Sequence, residues 1–182
     1  MKKLIMFAAC TMLAVATQAA AVGWTLATGS GSTYANDAYQ FFVIGQNGAS
    51  SVAAITALLD AGTDTSSYAF GSGTVNSSGI GSVTAVASGK SLDAGSYEGF
   101  FVLFDSASPA AGSANYVVLS GATTLSKTIA ATTANVSFTS GNVSSTLSNA
   151  SNWKSYGAVP EPTSGLLVLL GMAGLALKRK RA

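Results

Sequence analysis

Beyond Tyr68 the sequence is cut every few residues by Gly, Ser, Asn or Asp, and between the cuts apolar and polar residues alternate. Alternation with period two puts one set of side chains on each face of an extended chain, and such frequent turn residues leave no room for long helices. The candidate strands are 23–28, 38–45, 68–70, 81–87, 98–104, 115–119, 125–129 and 135–139. The run Phe100, Phe101, Val102, Leu103, Phe104 is apolar throughout and predicts a central strand buried on both faces. One stretch breaks the pattern. Val52, Ile55, Leu58 and Leu59 recur near helical spacing behind Ser50 and Ser51, with Gly62 beyond. That predicts a single short helix ending near Asp60. The Gly29/Gly31, Gly71/Gly73 and Gly79/Gly81 pairs read as turns, because they lack the third glycine and the helix of a dinucleotide fingerprint. The expected fold is therefore mainly β: an antiparallel β-sandwich or jelly-roll-like body with one short helix. Segments 39–44 and 97–103 resemble each other, which fits either paired central strands or a shared β-rich composition.

Both ends of the chain read differently. Lys2 and Lys3 precede an apolar run over 4–16, and Thr17, Gln18, Ala19, Ala20 and Ala21 follow as a small-residue exit. This is the pattern of a secretory signal peptide over 1–21, with cleavage expected after Ala19 or Ala21. Cys10 sits in a poor likeness of a lipoprotein box and is not expected to carry lipid. At the other end Pro160 and Pro162 bracket Glu161. Each proline fixes its own φ and biases the preceding residue toward extended backbone, so this is a stiff peptide. An uncharged apolar run from 165 to 177 comes next, then Lys178, Arg179, Lys180 and Arg181. As a helix that run is about 20 Å long, against about 30 Å of hydrocarbon. Taking in Thr163, Ser164 and the lysine stems gives an expected transmembrane helix over about 163–178. The basic cluster acts as its cytoplasmic stop.

Val159, Pro160, Glu161 and Pro162, a glycine-containing apolar helix and a terminal basic cluster together resemble the PEP-CTERM sorting signal, a tail also described as an ice-binding protein C-terminal domain. The resemblance covers about residues 158–182. It implies a bacterial surface protein held by its tail, handled by the membrane peptidase exosortase and the secretion machinery, cut near Pro160, Glu161 and Pro162, then released or attached outside. It implies nothing about the chemistry of the body.

The expected organisation is thus a signal peptide over 1–21, a β-rich extracytoplasmic domain over 22–140, a Ser/Asn-rich linker over 141–157 and the sorting signal over 158–182. Composition matters once the ends are set aside. Between residues 22 and 159 there are three lysines, six acids, and no Arg, His or Cys. Nucleophile–His systems lack their base there, zinc, haem and iron–sulfur sites lack their usual ligands, and disulfides cannot form. A phosphate-tracking surface for nucleic acid is not expected either. The full chain's net charge of +2 belongs to its ends.

Other candidates read as local structure. Asp60 and Asp64 lack the ligand density of a calcium loop and read as a solvated helix end. Each of the six acids lies in or beside an expected turn, so no pair is marked as a glycosidase dyad. Asn76, Asn135, Asn142 and Asn149 match the glycosylation sequon through composition. Tyr34, Tyr39, Tyr68, Tyr97, Tyr116 and Tyr156 read as core before they read as sugar-stacking platforms. The expectation is an exported, non-enzymatic surface or matrix protein with a structural or adhesive role, without metal or cofactor and membrane-held through its C-terminal helix. The alternative is a carbohydrate-binding module on the same route, with polysaccharide as partner.

Overall fold

A computed structural model describes residues 18–29, 32–121 and 125–157. The expected transmembrane helix over about 163–178 and most of the signal segment lie outside these residues. Among the described residues no helix is long and apolar enough to cross a membrane.

Among the described residues the chain is mainly β and forms two sheets. In the first, strand β1 (Ala20–Ala27) is central. It pairs antiparallel with β4 (Ile80–Val83) through its second half and with β5 (Ser91–Leu92) through its start. On its other side it runs parallel to β9 (Asn135–Asn142). The second sheet has the order β10-β7-β6-β2-β3, with β2 at Ala38–Val43, β3 at Gly71–Thr74, β6 at Gly95–Phe104, β7 at Asn115–Leu119 and β10 at Lys154–Ser155. Strand β8 (Ser126–Ile129) pairs with the first half of β6.

Strict alternation divides β2, β6 and β7 between two cores. Tyr39, Phe41, Val43, Phe101, Leu103, Val117 and Leu119 face one cluster, together with Val22, Trp24 and Leu26 of β1 and Phe138 of β9. Phe42, Phe100, Val102, Phe104 and Tyr116 face a second, closed by Ile55 and Leu59 of helix α1 (Val52–Asp60). The second sheet is thus covered by the first on one face and by α1 on the other. This is why 100–104 shows no polar side: neither face meets water. The likeness of 39–44 to 97–103 has the same origin. The two segments are paired antiparallel, with Phe41 opposite Phe101 and Phe42 opposite Phe100. The second pair stacks at 4.9 Å with an interplanar angle of 10°.

Helix α1 forms where expected. Ser51 is its N-cap and its hydroxyl accepts from the Ala54 N–H, while Gly62 takes a positive φ of 72° just past the end. Several expectations need correction. Among the described residues there are two further four-residue helices, α2 (Ala85–Ser88) and α3 (Ser144–Leu147), so α1 is not alone. Helix α2 interrupts the strand expected over 81–87. The sheets are not wholly antiparallel, because β1 and β9 run in the same direction. Residues 66–68 form a turn rather than part of a strand, and the strand lies just beyond, over the Gly71/Gly73 pair read as a turn.

Those glycines are strand residues for a steric reason. A Cβ on Gly71 would fall on Trp24 Cζ2 and Cη2, and a Cβ on Gly81 would fall on the Tyr39 ring. The aromatic side chains of β1 and β2 lie where these side chains would stand. The last correction is the largest. Residues 141–157, expected as a linker, are folded: they hold the end of β9, α3, a 3-10 turn (Ala150–Asn152) and β10. They bury Leu147 and Tyr156, and Trp153 stacks on Tyr34 at 5.9 Å. The expected domain start at 22 also moves, because β1 begins at Ala20, which is fully buried.

Candidate processing site

The described residues next to the two terminal segments are those around Ala20 and Gly157. At the amino end, Ala19 precedes the first strand and Ala20 and Ala21 belong to it, paired with Leu92 and Ser91. The Ala21 N–H donates to the Ala134 carbonyl at 2.9 Å, and the Val22 N–H to Lys90 at 2.9 Å. Of the three alanines expected around the cleavage point, two are therefore structural.

At the carboxyl end, residues 154–157 form a strap across β7 and the end of α1. Lys154 and Ser155 pair with Tyr116 and Asn115. The Tyr156 N–H donates to the Ala114 carbonyl at 2.9 Å, and the Tyr156 carbonyl accepts from Gly112 at 2.7 Å. The Gly157 N–H donates to the Leu59 carbonyl, again at 2.9 Å. That carbonyl, at the C-terminal end of α1, also accepts from the Gly62 N–H at 3.0 Å, so Gly157 supplies its second bond. The ring of Tyr156 is buried edge-on against Phe104, with centroids 5.6 Å apart. Gly157 has a φ of +66°, and a Cβ there would stand 2.9 Å from Gly62 Cα and 2.8 Å from Ala111 Cβ. Only glycine fits so close a backbone crossing in that conformation.

Side chains bind the strap further. The Tyr116 hydroxyl donates to Asp60 Oδ1 at 2.5 Å, and Asp60 Oδ2 lies 4.0 Å from Lys154 Nζ. Both members of the ion pair are about half exposed, so the pair contributes little. The Tyr116 hydroxyl is pushed well above its ordinary pKa by burial, by its bond to Asp60 and by that carboxylate's charge. Burial, helped by Asp64, raises Tyr156 as well.

The remaining candidates take local roles. Asp60 is engaged by Tyr116, and Asp64 accepts from the backbone and hydroxyl of Ser66 at 2.9 and 3.0 Å. Among the described residues no three acids, His or Cys gather as a metal site. Asp37 sits above its ordinary pKa, through burial and then through the charge of Asp105. A cleft of about 550 Å³ between Ile44, Val52, Glu98 and Leu125 has Glu98 as its one acid among the described lining residues. Tyr39, Tyr116 and Tyr156 are buried and Tyr34, Tyr68 and Tyr97 are half-buried, all packed within the two cores.

The sequon matches acquire a structural reading. The side-chain oxygens of Asn76, Asn142 and Asn149 each accept from the N–H of the serine two residues on, at 2.9, 3.0 and 3.0 Å. Asn-X-Ser is the spelling of an Asx turn in these loops. The sequence showed the triplets but not this use of them.

Pro160, Glu161, Pro162, Lys178, Arg179, Lys180 and Arg181 lie outside the described residues. No curated protein and no solved structure matches the chain. Residues 158–181 match the PEP-CTERM protein-sorting motif, which supports export by an exosortase-type route and begins at the residue after the strap.

Proposed function

We propose that this is a non-enzymatic surface or matrix protein, exported amino end first, held in the membrane by a helix over about 163–178, and displayed after its tail is processed. The observation that carries the reading is the sorting motif at 158–181, which follows in sequence directly on Gly157, a residue packed into the described body. The two facing sheets with α1 behind them are read as a β-sandwich with one covered outer face. Its described polar groups serve turns, caps and strand ends, which suits a structural or adhesive module better than a catalyst.

The amino-terminal cut is assigned after Ala19. That cut leaves β1 whole. A cut after Ala21 would remove Ala20 and Ala21, the two residues that pair β1 with β5. Mass spectrometry of the surface form tests both ends. It should start at Ala20 and end near residues 160–162. Mature protein that still carries Arg181 would refute processing of the tail, and a start at Val22 would refute the assignment at Ala19.

Against the carbohydrate-binding alternative stand the buried rings of Tyr39, Tyr116 and Tyr156, while Tyr34, Tyr68 and Tyr97 remain half-buried. Retention of the purified body on a polysaccharide array would bring it back.

A further inference from the structure

We propose that the outer edge of β3 pairs with the same edge of a second copy, so that the body self-associates strand to strand about a two-fold axis at Gly73. The pairing gives the adhesive role proposed above a partner, and it is a property of the body whatever route exports it.

Hydrogen-bond parity identifies the groups involved. Among the described residues β3 is the last strand of its sheet. Just past β2, the Ile44 N–H donates to the Glu98 carbonyl of β6, so even residues of β2 turn their backbone to β6 and odd ones to β3. The Val75 N–H, which donates to the Asp37 carbonyl, obeys the same parity. Gly71 and Gly73 oppose Phe41 and Tyr39 and face β2. The N–H and C=O groups of Ser72 and Thr74 therefore point away from β2, off the edge of the sheet, and both residues are exposed. An open groove of about 420 Å³, lined also by Ser66, Phe70, Ser88 and Lys90, runs beside Gly71 and Ser72 and leaves space next to the edge.

The two edges of this sheet differ. β10, at the far side, has two residues and carries Lys154, and a lysine on an edge resists pairing. β3 reads Gly-Ser-Gly-Thr, without charge or proline. Two copies brought together there meet no like-charge repulsion.

The occupant is a second copy because the edge is complementary to itself. An antiparallel pair centred on Gly73 sets Ser72 opposite the partner's Thr74 and Thr74 opposite the partner's Ser72. By parity both are hydrogen-bonded pairs, which makes four main-chain bonds. Gly73 then meets its own copy in the non-hydrogen-bonded position, where Cα atoms approach to about 4.5 Å and a glycine brings no side chain to clash. Ser and Thr hydroxyls meet on the opposite face. The chain already uses that combination between β6 and β8, where Ser96 and Thr128 are paired with their hydroxyls 3.3 Å apart. Such an interface is isologous and closes as a dimer.

Disulfide trapping tests the register. Full-length Ser72→Cys and Thr74→Cys chains, each also carrying Cys10→Ala so that one thiol remains, are purified in mild detergent, mixed and oxidised. Opposed Cα atoms in a hydrogen-bonded pair lie about 5.5 Å apart, within disulfide reach, whereas a residue and its own copy lie on the longer diagonal. Random collision makes the mixed dimer equal to the sum of the two self-linked dimers. The proposed register should raise it to about fivefold that sum or more, read by intact mass. Equal amounts, or no link at all, would overturn the pairing.

Charge exchange is the second test. Ser72→Lys/Thr74→Lys sets lysine against lysine in the pair, and Ser72→Glu/Thr74→Glu sets glutamate against glutamate. Each full-length variant alone should sediment as a monomer at concentrations where wild type forms dimers, and mixing the two should restore the dimer. A monomeric wild type, dimers in every sample, or no recovery on mixing would overturn the proposal. Mass spectrometry of the surface form judges the sorting reading and these two experiments judge the pairing, so either can fail alone.

Discussion

Gly71→Ala isolates one consequence of the packing between the sheets. In most strands this change is favourable, because alanine lowers the entropy of the unfolded chain by about 0.4–1 kcal/mol. At position 71 the new methyl would fall on Trp24 Cζ2 and Cη2 and stand 2.9 Å from Cε2. The indole cannot swing away freely. It is 3% exposed, stacks on Phe41 at 5.5 Å, and donates from Nε1 to Tyr39 Oη at 3.3 Å. Forcing a methyl into a filled core costs about 1–3 kcal/mol. After the entropy gain the net loss is about 1–2 kcal/mol. At roughly 4 °C per kcal/mol for a body of this size, Tm falls by about 4–8 °C.

A double-mutant cycle with Trp24→Phe checks the cause. The shorter ring withdraws the clashing edge, so the two changes together should cost at least about 1 kcal/mol less than their sum. Calorimetry and urea titration followed by circular dichroism supply the energies without relying on Trp24. Ser72→Ala, an exposed neighbour in β3, serves as the control. A neutral or stabilising Gly71→Ala, or additivity within about 0.5 kcal/mol, would refute the argument that Trp24 is what makes position 71 a glycine.

Three further outcomes follow from the same geometry. Asp37 has a raised pKa in the folded state, so the folded body binds its proton more tightly than the unfolded chain and loses stability as pH rises past the ordinary aspartate range. Asp37→Asn should remove that loss and raise stability at pH 7 by about 0.2–1 kcal/mol, the scale of a partly screened like-charge pair, as measured by urea midpoints at pH 4 and pH 7. Tyr116→Phe removes the bond to Asp60 and should cost about 0.5–1.5 kcal/mol near neutral pH. Because the Tyr116 pKa is raised in the folded body, stability is present below about pH 10 and drains above it. The variant should therefore destabilise less steeply on alkaline titration than wild type. A chain ending at Ser140 loses the burial of Leu147 and Tyr156, each worth about 2–5 kcal/mol by analogy with core truncation, and should fail to show a cooperative melt that a chain ending at Gly157 retains.

Alternation was enough to locate most strands. It placed β7 at its observed bounds and β2, β6 and β8 within a few residues, since buried and exposed positions in them follow the pleat. Features that depend on distant partners left no such trace. Nothing local at Gly71 or Gly81 reports that a tryptophan and a tyrosine from other strands occupy the space of a side chain, so both glycines resembled turns. Residues 141–157 are rich in Ser and Asn because their side chains cap turns and 3-10 ends, a composition indistinguishable from a linker until Leu147, Trp153 and Tyr156 are seen to dock. The parallel pairing of β1 with β9 is likewise invisible to periodicity, which carries no direction. The sorting motif was legible because it is linear: its proline spacing, apolar run and basic end are contiguous. The role of the body was not, because Tyr39, Tyr116 and Tyr156 are buried and Asp60, Asp64, Asn76, Asn142 and Asn149 are bound up in local hydrogen bonds.

The parallel pairing has a temporal meaning. Strand β1 is the first part of the body to emerge, whether from a ribosome or from a translocation channel, yet its partner β9 is nearly the last. Until then β1 has only the short strands β4 and β5 as hydrogen-bonded neighbours, although Val22, Trp24 and Leu26 can already pack against β2 and β6. So late a closure delays collapse. A nascent chain of this kind cannot complete its first sheet until the trailing strand arrives.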